Sequence, residues 1–212
     1  MLLVLAFQLI ILLFSVIIHE ISHGLVAFRL GDPTAKLAGR LTLNPLKHLD
    51  PFGSFLLPVL LYIASGGSFM FGWAKPVPYN PHFLKDPKRG GGLIAVAGPL
   101  SNLSLALFFG TLSRVLSVTD ISALPAALIP LLQMIVIVNI VLAVFNLVPI
   151  PPLDGSKVLF AFLPEGEALW KTQAFLERYG MIFLILFMFY GFGFLVPLIS
   201  FLFGLITGQS LV

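Results

Sequence analysis

Apolar residues in this chain come in long blocks rather than in alternation with polar ones. Residues 2–18 contain only Gln8 and Ser15 as polar side chains, and residues 93–112, 124–151 and 181–206 are similar. Such blocks suit helices that cross the roughly 30 Å hydrocarbon layer of a bilayer, which takes about 20 helical residues. The first predicts a helix from about residue 3 to 29 that stops at Gly31-Asp32-Pro33, a glycine and proline signal for a helix end. Lys36 to Leu43 partly alternates and predicts a short strand. Ala74 to Tyr79 predicts a second one, confined to an edge by its two prolines. Residues 52–70 are apolar but awkward as a helix, with Gly53, Pro58 and Gly66-Gly67 inside and Pro51 just before.

The basic residues decide how that awkward block is used. Loop 29–51 holds Arg29, Lys36, Arg40 and Lys47, and loop 71–92 holds Lys75, Lys85, Lys88 and Arg89. A crossing at 52–70 would put these loops on opposite sides, against the excess of Lys and Arg in cytoplasmic loops. A block that dips in and returns leaves both in the cytoplasm, with the N-terminus outside. The 113–127 connection, with only Arg114, then faces outward. The 151–180 loop, with Lys157, Lys171 and Arg178, faces inward. The expectation is an all-α polytopic membrane protein with about four to five transmembrane helices. A re-entrant or interfacial segment and a small β element complete it. With no internal repeat or linker, residues 1–212 read as a single domain.

Composition agrees. The chain is 58% hydrophobic and 10% charged, against about 25% charged in a typical soluble domain, too few charges to cover a water-soluble surface. The N-terminal block lacks a basic n-region and a small-residue cleavage site, so it reads as part of the mature protein. Cysteine is absent, which excludes disulfides, cysteine nucleophiles and thiolate metal sites. The net charge of +3 comes from scattered loop residues without aromatic interleaving, which makes no case for nucleic acid.

His19-Glu20-Ile21-Ser22-His23 matches H-E-x-x-H. On a helix, positions i and i+4 share a face, so two imidazoles can grip one ion, with the glutamate placed to take a proton from a metal-held water. Zinc lowers the pKa of such a water to about 7. The motif follows a wholly apolar run and precedes Gly24-Leu25-Val26-Ala27-Phe28. Ionisable groups at membrane depth cost about 2.5–3.5 kcal/mol each on insertion scales and mark function; the bland alternative is a structural polar cluster.

A third protein ligand is needed. His48 and Asp50 alternate on one face if extended, His82 stands in a Pro-rich loop, and Asp154 ends the run Asn146-Leu147-Val148-Pro149-Ile150-Pro151-Pro152-Leu153-Asp154-Gly155. The three prolines break a helix and free backbone groups, tolerable at depth only beside protein or a wet cavity. An acidic residue there suits a metal site, although Asp-Gly is also an ordinary turn. Residue chemistry alone leaves these candidates open.

These residues resemble the site-2 protease family of intramembrane zinc metalloproteases. Residues 19–23 look like its H-E-x-x-H motif, residues 146–155 resemble its N-x-x-P-x-x-x-L-D-G motif, and Gly98-Pro99-Leu100-Ser101-Asn102 is similar to the segment opening the helix between them. The resemblance covers roughly residues 10–160. It implies one zinc ion held by His19, His23 and Asp154, a site toward the cytoplasmic side of the cell membrane, and transmembrane proteins or peptides as substrates. It also suggests a minimal, bacterial-type member without PDZ or cystathionine-synthase-like regions.

On that reading Glu20 is the general base. Asn146 could donate to the substrate carbonyl or oxyanion, or serve as a helix cap or interhelical bond. Asn102 and Asn139 read as packing groups. The predicted edge strands could hold an unwound substrate by strand addition. Competing readings are a metal transporter lined by His19, Glu20, His23 and Asp154, and a catalytically inactive membrane scaffold.

Overall fold

The computed structural model describes residues 2–64, 66, 72, 74–119 and 125–211. Helix α1 spans Leu2–Arg29, within one residue of the extent the apolar pattern predicts. It ends where Gly31 takes φ +106° and the Asp32 N–H returns to the Ala27 carbonyl. A single turn, α2, covers Thr34–Leu37. The 52–70 block begins with a helical run capped by Asp50 at Pro51–Leu56 and continues as α3, Leu57–Ala64. Residues 65 and 67–70 of that block lie outside the described residues.

Helix α4, Pro87–Val118, starts ahead of its apolar block because Asp86 accepts from the Arg89 N–H and Pro87 occupies the first turn, where a missing N–H costs nothing. Helix α5 covers Leu128–Asn146; residues 120–124 of the connection before it lie outside the described residues. The 151–180 stretch, read as a loop, is mostly helical: α6 spans Asp154–Phe162 and α7 spans Glu167–Leu186. The block at 181–206 therefore belongs to a helical run, Glu167–Thr207, that changes pitch at residues 187–195 before α8, Val196–Thr207. Pro197 has no N–H for the Gly193 carbonyl, and the Val196 N–H takes that acceptor three residues on.

Among the described residues, four helical runs are long and apolar enough to cross a membrane: Leu3–Arg29, Pro87–Val118, Leu128–Asn146 and Glu167–Thr207. Their outward faces carry exposed large apolar side chains such as Leu9, Phe14, Phe108, Phe201 and Leu205. Their inward faces bury polar groups, among them His19, His23, Asn102 and Asn139. Apolar outside and polar inside is the distribution a lipid solvent selects. Ala106 of α4, Val136 and Ile140 of α5, and Ile199 and Phe203 of α8 form one core. A second joins Ala27, Leu84 and Ile94 where α1 meets α4.

The predicted β element is not seen: among the described residues there is no strand. Residues 36–43 turn rather than extend. The Ala38 and Arg40 N–H groups bond back to Thr34 and Ala35, and Gly39 takes φ +65°. Residues 74–79 are irregular, and their backbone groups are claimed from elsewhere in the fold. The Lys75 N–H donates to the His48 carbonyl, Arg40 donates to the Lys75 and Pro76 carbonyls, and the Val77 N–H donates to Glu20. Pro76 and Pro78 have no N–H to offer a ladder. Alternation of side chains satisfied the pattern for a strand; the partners of the backbone decided against it.

Candidate metal centre

His19 and His23 lie in the C-terminal half of α1, one turn apart on the face toward α4 and α5. They stand ten and six residues before Arg29, about 15 and 9 Å along the axis at 1.5 Å per residue. Their rings meet edge to face, with centroids 4.6 Å apart. Asp154 reaches them from the first turn of α6. The 146–154 run packs Val148 and Leu153 against Leu184 of α7, and Gly155 leaves room for the carbonyls of Leu147 and Val148, which a Cβ would meet at 2.1–2.6 Å. That close approach folds the chain back so that Asp154 Oδ2 lies 3.1 Å from both His19 Nε2 and His23 Nε2.

The hydrogen bonds on the far side of each ring say what this cluster needs. His19 Nδ1 lies 2.6 Å from Asn102 Oδ1, and His23 Nδ1 lies 2.6 Å from the Ile94 carbonyl oxygen. Both partners accept, so in the neutral rings Nδ1 carries the proton and Nε2 presents a lone pair. Two lone pairs and a carboxylate oxygen therefore converge at one buried place, an acceptor cluster that calls for a cation. Two imidazole nitrogens and one carboxylate oxygen, the oxygen 3.1 Å from each nitrogen, are a donor set of the kind that would hold zinc. The Asp154 carboxylate oxygen faces both lone pairs, and a carboxylate is a ligand that zinc takes together with imidazole. The residues present fit a zinc ion.

Glu20 also turns toward this place: its carboxylate joins His19 and His23 in a group whose donor atoms lie within 4.8 Å of one another. Its Oε2 accepts from the Val77 N–H at 2.8 Å. All four side chains line a cleft of about 530 Å³ walled by Val16, Val77, Ile94, Leu142 and Phe145, with Tyr79, Asn146 and Lys157 also on its wall. Asn146 closes α5; its amide donates to the Leu142 carbonyl at 2.9 Å, which leaves its second N–H and its oxygen uncommitted by that bond.

The other ligand candidates have different tasks. His48 is buried and bonds the Thr42 carbonyl through Nε2. Asp50 caps the turn at Phe52 and Gly53. His82 is exposed on a helical turn at Pro81–Phe83. Sequence reasoning read Asn102 as packing and did not see its bond to His19; the signal was its place four residues after Gly98, one turn along the same helix. Gly98 itself backs the centre, since a Cβ there would stand 2.5 Å from His19 Nε2 and from His23 Nε2.

A helix bearing H-E-x-x-H, a carboxylate brought to both imidazoles, and an enclosure of membrane-length helices together define a membrane metalloprotease of the zinc class. The chain belongs to peptidase family M50, the site-2 protease family, whose model matches residues 7–121 and 109–188. It is 43% identical over 180 residues to "Putative zinc metalloprotease YwhC" of Bacillus subtilis, covering 83% of this chain and 77% of that one. It is 32% identical over 174 residues to "Putative zinc metalloprotease Rip2" of Mycobacterium tuberculosis, covering 82% of this chain and 62% of Rip2. "Zinc metalloprotease MJ0392" of Methanocaldococcus jannaschii is 27% identical over 182 residues, 86% of this chain and 42% of that protein. No solved structure matches.

Proposed function

We propose that this protein hydrolyses peptide bonds within or next to the transmembrane segments of membrane-protein substrates, using one zinc ion held by His19, His23 and Asp154. The observation that carries the reading is the convergence of two imidazole lone pairs and one carboxylate oxygen inside a cleft walled by membrane-length helices. When bound, zinc supplies a Lewis acid that polarises a scissile carbonyl and makes water acidic enough to yield hydroxide near pH 7.

The chain's own residues supply the rest. Glu20 lies one residue from His19 and faces the same cleft, so its carboxylate takes the proton of the attacking water and returns it to the leaving amine. The Val77 N–H at 2.8 Å occupies one carboxylate oxygen and leaves the other for that transfer. The free amide hydrogen of Asn146 is available to the substrate carbonyl oxygen as negative charge develops on it. His19 and His23 stand about 15 and 9 Å inside the end of α1, and the Lys and Arg content of the loops supports a reading in which that end faces the cytoplasmic side of the cell membrane. Residues 1–212 act as one domain in this reading.

The test compares wild type with Glu20→Gln in detergent, for bound zinc and for cleavage of a model transmembrane peptide. Zinc in both with a loss of about 10²–10⁴-fold in cleavage by the variant supports the reading, the range a general base contributes. Unchanged cleavage by Glu20→Gln, or a folded wild type that takes up no zinc, refutes it.

A further inference from the structure

The two imidazoles are anchored by different kinds of acceptor. His23 bonds a main-chain carbonyl, that of Ile94, which offers oxygen whatever the neighbouring side chains do. His19 bonds the side-chain oxygen of Asn102, and Asn102 is fully buried. An asparagine amide presents oxygen on one side and NH2 on the other, nearly the same in shape, so something must decide which end faces the ring.

Three further contacts decide it. Asn102 Nδ2 lies 3.3 Å from the Ser15 carbonyl oxygen and 2.9 Å from Asn139 Oδ1. Asn139, also fully buried, gives its own Nδ2 to the Ile135 carbonyl at 2.9 Å. The carbonyls of Ser15 and Ile135 can only accept. Asn139 must therefore present oxygen to Asn102, and Asn102 must present oxygen to His19. The direction of the chain is set from α5 through α4 to α1, and it ends by requiring the His19 proton on Nδ1 and the lone pair on Nε2, beside His23 Nε2 and Asp154 Oδ2.

We propose that Asn102, oriented by Asn139, is a positioning residue of the metal centre, holding His19 in the tautomer and ring plane that bind the ion. This rests on the reading that His19 and His23 are zinc ligands. A pair of asparagines that merely join α4 to α5 would hold the helices together without regard to which end of Asn102 faces His19.

The experiment uses full-length protein in detergent: wild type, N102L, N102D, N139L and, as a ligand control, H23A. Zinc affinity is read by competition with a chromophoric chelator, the ligand field by the visible spectrum of the cobalt(II)-substituted protein, and folding by helix content without metal. N102L is expected to weaken zinc binding by about 10–100-fold, the usual effect of losing an outer-shell partner, and to alter the cobalt spectrum. N102D keeps an acceptor oxygen toward Nδ1 and should restore affinity to within a few-fold of wild type. N139L removes the nearer of the two acceptors that orient the Asn102 amide and leaves only the Ser15 carbonyl at 3.3 Å, so it should weaken binding several-fold. Wild-type affinity and an unchanged cobalt spectrum in folded N102L, with zinc lost in H23A, overturn the proposal and leave the metal reading standing. Should N102L not fold, N139L decides in the same way. Wild-type affinity in H23A instead refutes the ligand assignment itself.

Discussion

Gly98→Ala tests the packing behind the centre with one methyl group. The added Cβ would lie 2.5 Å from His19 Cε1, from His19 Nε2 and from His23 Nε2. Ordinary contact between such atoms is about 3.5–4.0 Å, so each ring must retreat by about 1 Å or α4 must move as a body. The rings cannot retreat freely, since each is held on its far side by a 2.6 Å hydrogen bond, to Asn102 and to Ile94. Metal–ligand distances tolerate only about ±0.2 Å, and the displacement is about five times that. Zinc affinity is therefore expected to fall by about 100-fold or more, beyond the usual loss from an outer-shell change. Global stability should change far less. Overpacking costs about 1–3 kcal/mol, and alanine returns about 1 kcal/mol over glycine inside a helix. The assay is zinc content after dialysis against a weak chelator, alongside a thermal melt, with Gly193→Ala as control because a Cβ there meets nothing within 4 Å. A folded Gly98→Ala protein with wild-type zinc content and ordinary peptide cleavage would refute the geometry drawn for the centre.

Three further outcomes follow from the same contacts. Asp154→Ala removes the oxygen shared by both imidazoles, and equilibrium dialysis should show zinc binding weakened by at least about 100-fold while helix content is kept. Arg40 is buried and donates to the carbonyls of Lys47, Lys75 and Pro76. Arg40→Leu should cost about 2–3 kcal/mol and speed proteolysis within residues 74–80; unchanged protection of that segment counts against its tether. Asp32 is pushed up by burial, but its bonds from the Thr34 hydroxyl and N–H and from the Asn80 N–H outweigh this and leave its pKa below 3.8. A carboxyl lowered on folding stabilises above its unfolded value and loses that contribution as pH falls through the folded value. Asp32→Asn should therefore melt below wild type at pH 7, with the gap closing as pH falls below about 3.8. A gap that stays constant down to pH 3 would sink this assignment.

What the sequence determined by itself is local in origin. Apolar blocks near the length of a bilayer, broken by Gly31-Pro33 and by the prolines at 149–152, dictate which stretches can span, because each residue's choice between lipid and water depends on its own side chain, while the helix ends at Pro87 and Glu167 lie outside those blocks. The pairing of His19 with His23 is equally local, since the pitch of one helix brings i and i+4 together. Asp154 was one of four candidates by chemistry, singled out in the sequence only by a family resemblance. Its approach to both imidazoles depends on how the 146–154 run folds back across 135 residues of sequence. The two predicted strands failed for the complementary reason. Strand formation needs a partner for the backbone as well as alternating side chains, and at 74–79 the backbone groups went to Glu20, Arg40 and His48. The tie from Asn139 through Asn102 to His19 was invisible as well, since it joins three helices. An asparagine in an apolar helix announces that it must find a partner, and only the packing of the helices decides which.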